Sequence, residues 1–215
     1  MKKLSLAGRI AYLICLFGML PALALAEVAA EQWQAVRSSD GIQIFTAKPA
    51  ASPIIKVKAV AEIDAGMDTI LAILDDETRY AEWVPYLAEA RILQNVSKTE
   101  KLVYNLFDAP WPARDRDFIY RLMITSQTEN EISYTMQSVT TPLMPEKEGV
   151  VRAVLIEARY SLTSLNDNQS RIELVFHADL RGHLPVWIVN IVHRSFTFDA
   201  IKGLMAQVKG EALEE

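Results

Sequence analysis

The sequence predicts an α+β fold in which a curved antiparallel sheet wraps around one long C-terminal helix. Three observations carry this. Successive stretches between Ile42 and Leu180 alternate or are β-branched, with short polar turns between them, as an antiparallel meander requires. The order read is helix, two strands, two short helices, about six strands and a long helix: an antiparallel sheet with its helices gathered in two places. The last stretch, Leu184–Val208, carries Trp187, Ile191, Phe198, Ile201, Met205 and Val208 three or four residues apart. That spacing puts them on one helical face, where Arg194 is the one charge. A sheet of this length can curl, and its concave face would give the helix a surface to cover.

Taken in order, Met1–Arg9 holds Lys2, Lys3 and Arg9 and no acid, and Ile10–Leu20 is uncharged. Pro21 breaks that run, and Ala24-Leu25-Ala26 places small residues where a signal peptidase reads them. The expectation is a signal peptide over residues 1–26, followed by one domain over 27–215. The location implied is the periplasm or the exterior. Cys15, the sole cysteine, leaves with the signal, so the expected mature chain has no disulfide and its core carries the fold.

Glu27–Arg37 reads as a short helix and Ser38-Ser39-Asp40-Gly41 as a turn. Ile42–Ala47 and Ile54–Ile63 read as strands, the second with Ile55, Val57, Ala59, Ala61 and Ile63 on one face. Met67–Leu74 and Glu77–Tyr86 read as short helices, with Asp75 or Asp76 as a cap between them. The strands expected next are Ala90–Val96, Lys101–Asp108, Asp115–Ser126, Glu131–Val139, Val150–Leu162 and Ser170–Leu180. Pro185 suits the first turn of the last helix, where its missing N–H costs nothing.

Composition limits the function. The chain has 22 basic and 27 acidic residues, a formal charge of −5, and the first nine residues hold three of the bases and no acid. An acidic chain with no basic run is a poor fit to nucleic acid. The three histidines, His177, His183 and His193, show no metal-ligand spacing, and there is no G-x-S-x-G elbow, P-loop or G-x-G-x-x-G motif. No metal, cofactor or catalytic constellation is expected.

Three segments resemble the START domain, the steroidogenic-acute-regulatory-related lipid transfer family. They are Arg116-Asp117-Phe118 within a long strand, Met144–Ala153 with Gly149 leading into a strand that carries Arg152, and Asp179–Pro185 followed by Ile188-Val189-Asn190. In the third, His183 stands where the family often has Trp. The resemblance covers residues 33–208 and implies a helix-grip fold with an internal hydrophobic cavity for one lipid-like molecule. Binding and transport of a lipid, without catalysis, is the function implied; the alternative is a helix-grip enzyme acting on a hydrophobic substrate, and fold alone does not decide. A third reading is a module whose exposed helix or loop docks a protein. The expected partner is a lipid or other apolar small molecule, with transient membrane contact open and the chain a monomer. Leu122 and Val103 fall near positions where sterol-carrying relatives keep a buried ion pair, which argues against a copied sterol mode.

Within this frame the candidate ligand contacts are Trp83, Phe107, Phe118, Tyr120, Leu122, Met136 and Phe176 on the sheet side. On the helix they are Trp187, Ile191, Arg194, Phe198 and Ile201. Tyr104, Trp111, Tyr134, Ile172 and Leu174 are further candidate wall residues, against the plainer reading of ordinary core. Leu143 and Met144 are apolar in a Pro-flanked loop and suit a gate, a membrane-touching tip or packing on the last helix. Arg114 and Arg116, near the strand entry, suit either a phosphate or carboxylate head group or, the favoured reading, a structural ion pair with Asp115, Asp117 or Asp179; the same reading is favoured for Arg152. Arg194 needs water, an acid or a ligand. His177 is expected to face solvent.

Overall fold

The computed structural model describes residues 31–211. The expected signal peptide lies outside them, as does the start of the expected helix over 27–37. In chain order the elements are β1 (Gln34–Ser39), β2 (Ile42–Ala47), β3 (Lys56–Ile63), α1 (Met67–Leu74) and a 3-10 turn (Glu77–Glu82). Then come β4 (Leu87–Asn95), β5 (Glu100–Phe107), β6 (Arg116–Gln127), β7 (Glu131–Ser138), β8 (Val151–Arg152), β9 (Val154–Asn166), β10 (Gln169–Asp179) and α2 (Val186–Lys209). The strands form one sheet in the order β1-β2-β3-β10-β9-β7-β6-β5-β4, and β8 pairs with β6 off that path. All neighbours along the path are antiparallel; β8 runs parallel to β6. Register shifts interrupt β4–β5, β6–β7 and β9–β10, and bulges of this kind bend and twist a sheet. Together they give the curved antiparallel sheet and long C-terminal helix that the pattern predicts.

Two local expectations fail. Gln34–Ser39 is an edge strand, not helix. Asp40 and Gly41 both have positive φ, +55° and +75°, which makes a two-residue hairpin turn whose twist matches its flanking strands. That turn brings Ser39 opposite Ile42 and extends the pairing back to Gln34 opposite Thr46. The run expected over Val150–Leu162 breaks at Ala153, so Val151–Arg152 joins β6 while the remainder pairs with β7 and β10. Elsewhere, Asp76 caps the 3-10 turn by accepting the Thr78 N–H at 3.2 Å. Gly210, at φ +72°, closes α2 in the left-handed conformation, and the Glu211 N–H returns to the Ala206 carbonyl.

Helix α2 packs on β2, β3, β10 and α1. Its buried stripe is Val189, His193, Thr197, Ala200, Ile201 and Leu204. Two of these are polar, and both are held. The Thr197 hydroxyl donates to the His193 carbonyl at 2.7 Å, and His193 Nδ1 lies 3.3 Å from the Ile55 carbonyl oxygen. His193 Nε2 has no partner. His177, expected at the surface, is 4 % exposed and neither ring nitrogen is hydrogen-bonded. It sits at the bulge in β10, where the register against β9 shifts.

Burial lowers the His193 pKa to about 4, against 6.5 for a free imidazole, and the neighbouring His177 pushes it the same way. The folded imidazole is therefore neutral over a range where the unfolded one takes a proton. Its contribution is complete above about pH 6.5 and is lost as pH falls toward 4, on the order of 3 kcal/mol in all. Denaturant unfolding of wild type and His193→Gln at pH 7 and pH 4.5 checks this. The wild type should lose clearly more stability than the variant on acidification; equal losses would mean that His193 is not the titrating group.

Candidate ligand cavity

Strand alternation sends Phe107, Asn105 and Val103 of β5 to the same side as Arg116, Phe118 and Tyr120 of β6, because Phe107 pairs with Arg116, Asn105 with Phe118 and Val103 with Tyr120. On β7, β9 and β10 the same face carries Tyr134 and Met136, Ala158 and Tyr160, and Leu174 and Phe176. All of these but Val103 border a cavity of about 760 Å³, open at one side, between the curved sheet, the 3-10 turn and the first turns of α2. That volume lies within the ~300–1,000 Å³ of sites that take drug-sized molecules. The inner end is lined by Leu74, Tyr80, Leu122, Tyr134 and Tyr160. The mouth is formed by Tyr86, the loop Asp108–Arg114 and the turn Gly182–Leu184. Trp111 there is 92 % exposed and Tyr86 63 %.

Of the residues expected at the site, Trp83, Phe107, Phe118, Tyr120, Leu122, Met136 and Phe176 border the cavity. So do Trp111, Tyr134 and Leu174, while Tyr104 and Ile172 do not. Phe107 meets Phe118 edge-on, with ring centres 5.7 Å apart, and Phe196 at 5.8 Å. These contacts fix the ring walls.

The helix is turned away from its expected orientation. Trp187 and Ile191 are 64 % and 49 % exposed, and Arg194 is also at the surface. Phe198 and Ile201 are buried but outside the cavity wall. The Phe198 ring carries the Arg37 guanidinium of β1 at 3.6 Å from its centre. The expected stripe exists, but only its C-terminal half has anything to cover. The orientation is set by the mixed stripe through His193 and Thr197. That stripe leaves Ile188, Val192, Ser195 and Phe196 to face the cavity. The i, i+4, i+8 run Ile188-Val192-Phe196 was the available signal. Asn105 was another: it is an amide between Val103 and Phe107 on the same strand face.

The polar groups inside are few. The Asn105 amide donates to the Tyr120 hydroxyl at 3.0 Å, and the Tyr134 hydroxyl donates to Asp75 at 3.2 Å. Tyr80 donates to the Leu74 carbonyl. Burial pushes the Tyr80, Tyr120, Tyr134 and Tyr160 phenols up, so they stay protonated at neutral pH. Asp117 is 1 % exposed and takes Arg152 through two bonds, 2.8 Å from Nε and 3.0 Å from Nη2. The expected ion pair of Arg152 is thus present. The one expected for Arg116 is not: no carboxylate among the described residues pairs with it. Leu143 is half-exposed and lies off the cavity wall. Among the described residues no group of His, Cys, Asp or Glu is arranged to hold a metal ion, and no helix is long and apolar enough to cross a membrane.

A long helix gripped by a curved antiparallel sheet, with an apolar chamber between them, defines a helix-grip protein. The chain belongs to the START domain family, whose model matches residues 20–212. It is 22 % identical to the phosphatidylcholine transfer protein of Bos taurus, over 74 % of this chain and 75 % of that one. The fold superposes on the crystal structure of human STARD10 with a TM-score of 0.77 at 22 % identity, covering 82 % of this chain and 73 % of that one. At lower similarity it also matches the Zhui aromatase/cyclase from Streptomyces, with a TM-score of 0.52 at 14 % identity, over 72 % and 93 % of the two chains.

Proposed function

We propose that this protein binds one lipid or other hydrophobic molecule in its internal cavity and carries it without altering it. The supporting observation is the chamber itself, a space of about 760 Å³ with mostly apolar walls inside a fold whose interior would otherwise be close-packed. Burying hydrocarbon there contributes about 0.8 kcal/mol per methylene, enough to favour uptake without any specific polar contact. Membership of a family with a phosphatidylcholine transfer protein among the similar sequences supports the same reading.

We further propose that residues 1–26 are removed on export and that the carrier works in the periplasm or outside the cell, as a monomer that touches membranes transiently. The exposed Trp111 and Tyr86 at the cavity mouth suit such contact.

Catalysis is the second reading. It draws on the likeness to an aromatase/cyclase and on the tyrosine hydroxyls and Asn105 within the chamber. Phenols that hold their protons at neutral pH supply no ready general base, which favours the carrier.

The test is extraction with organic solvent of protein purified from a periplasmic fraction, followed by mass spectrometry. About one lipid per chain is expected, on a chain whose N-terminus is Glu27. No co-purifying lipid, together with no uptake of a fluorescent fatty acid or phospholipid, would overturn the carrier reading. A bound molecule whose mass changes during incubation would favour the enzyme.

A further inference from the structure

We propose that the molecule carried is an amphiphile with an oxyanion, a carboxylate or a phosphate, and that this group seats on the guanidinium of Arg116. The proposal rests on the reading of the chamber as a lipid site and adds the chemistry of the head group. Arg116 opens β6 on the inward face, one strand pair out from Asn105, and it borders the cavity. It is 8 % exposed. Its Nη1 donates to the Arg114 carbonyl, and its Nε is buried with no partner.

The surrounding charges do not neutralise it. The nearest buried acid along the strand, Asp117, points to the opposite face and is taken by both donors of Arg152. Asp115 lies close enough to act on Arg116, but its Oδ1 accepts the Ala109 N–H at 3.0 Å and it forms no ion pair with the guanidinium. Asp108 borders the same mouth at the surface, also without an ion pair to Arg116. Arg114 also borders the cavity and adds a like charge. Asp179 is engaged elsewhere, with Arg181, at 3.6 Å.

An arginine stays charged at any physiological pH, and a buried charge without a counter-charge is costly. Burial and Arg114 together lower its pKa from the usual value, so the site as it stands disfavours the cation. A planar guanidinium answers that cost best with an oxyanion, which accepts two parallel N–H bonds. Gly182, at φ +71°, faces this guanidinium without a side chain, and a Cβ there would come within 3.8 Å of Nη2. The position also fits an amphiphile. Arg116 is at the mouth, beside Gly182 and His183, while Leu122, Met136, Ala158 and Leu174 line the space further in for an acyl chain.

The experiment uses the delipidated mature protein with cis-parinaric acid, a fluorescent fatty acid, and its methyl ester. Wild type should bind the acid about tenfold or more tightly than the ester, and Arg116→Gln should erase that preference. Arg116→Lys should keep part of it. Competition by lysophosphatidic acid and by palmitate against the bound probe separates the two sources of the oxyanion, the stronger competitor being the natural class. Equal binding of acid and ester by wild type overturns the proposal even if the variants do not fold. So does a preference that survives in Arg116→Gln. Binding of neither probe would instead sink the lipid-carrier reading beneath it.

Discussion

Replacing Asp117 with Ala is expected to lower the stability of the domain by about 3 kcal/mol. The carboxylate is 1 % exposed and sits opposite Arg152 where β8 runs parallel to β6. Without it, a guanidinium that 21 % of side-chain exposure only partly hydrates loses its counter-charge. Breaking a buried pair from one side costs about 3–5 kcal/mol, and the remaining access to water places this pair at the lower end. Arg152 also holds the carbonyls of Met144 and Pro145, so the loop before β8 loosens with it. For a domain of this size the melting temperature should fall by roughly 6–12 °C. The double variant Asp117→Leu with Arg152→Met should recover most of the loss, because two apolar groups leave no charge to satisfy. Thermal unfolding of the three proteins decides it. A loss below about 1 kcal/mol in the single variant would show that water reaches the pair.

Filling the chamber should separate binding from folding. Ala158 on β9 is 4 % exposed and borders the cavity, between Met136 on β7 and Phe176 on β10. An indole at this position projects into empty space. Ala158→Trp should therefore keep the wild-type melting temperature within a few degrees and weaken probe binding at least tenfold, a change of about 1.4 kcal/mol. The contrast is Ala59, 0 % exposed on β3 in the close-packed layer outside the cavity wall. Ala59→Trp has no space to enter, so it should unfold the domain rather than block uptake. Melting curves and titration with a fluorescent fatty acid read out both variants. Undiminished binding by a folded Ala158→Trp protein would mean that the ligand does not enter this space.

The sheet side of the cavity was legible in the sequence and the helix side was not, for a physical reason. A strand has a two-residue period and a buried face, so finding Phe118, Tyr120 and Leu122 inward also places their partners on β5 and β7. A helix can be rotated about its axis without changing its apolar spacing. Two apolar stripes run along α2, and the conspicuous one, through Trp187 and Ile191, ends at the surface. The stripe that does pack contains His193 and Thr197, whose polar atoms are reconciled with burial by the Ile55 carbonyl and by the helix's own backbone. Residue types alone do not reveal those partners. At the other end of the chain, Gln34–Ser39 lacks strand alternation, and its pairing comes from the Asp40-Gly41 turn that follows it. The stronger local signal there was the turn. Arg116 and Arg152 look alike in sequence. Only the fold shows that one acid serves just one of them.

The chamber also has a volumetric consequence. Most domains gain little density when they unfold, because their interiors are already packed like organic crystals. This fold holds a cavity of about 760 Å³ that opens to solvent at its mouth, and the part of it that water does not fill is lost on unfolding. Hydrostatic pressure favours whichever state has the smaller volume, so it should act more strongly against the protein without a ligand than against the protein with one. A molecule bound there would take the place that core side chains hold elsewhere, so the pressure needed to unfold the domain should rise when the cavity is filled.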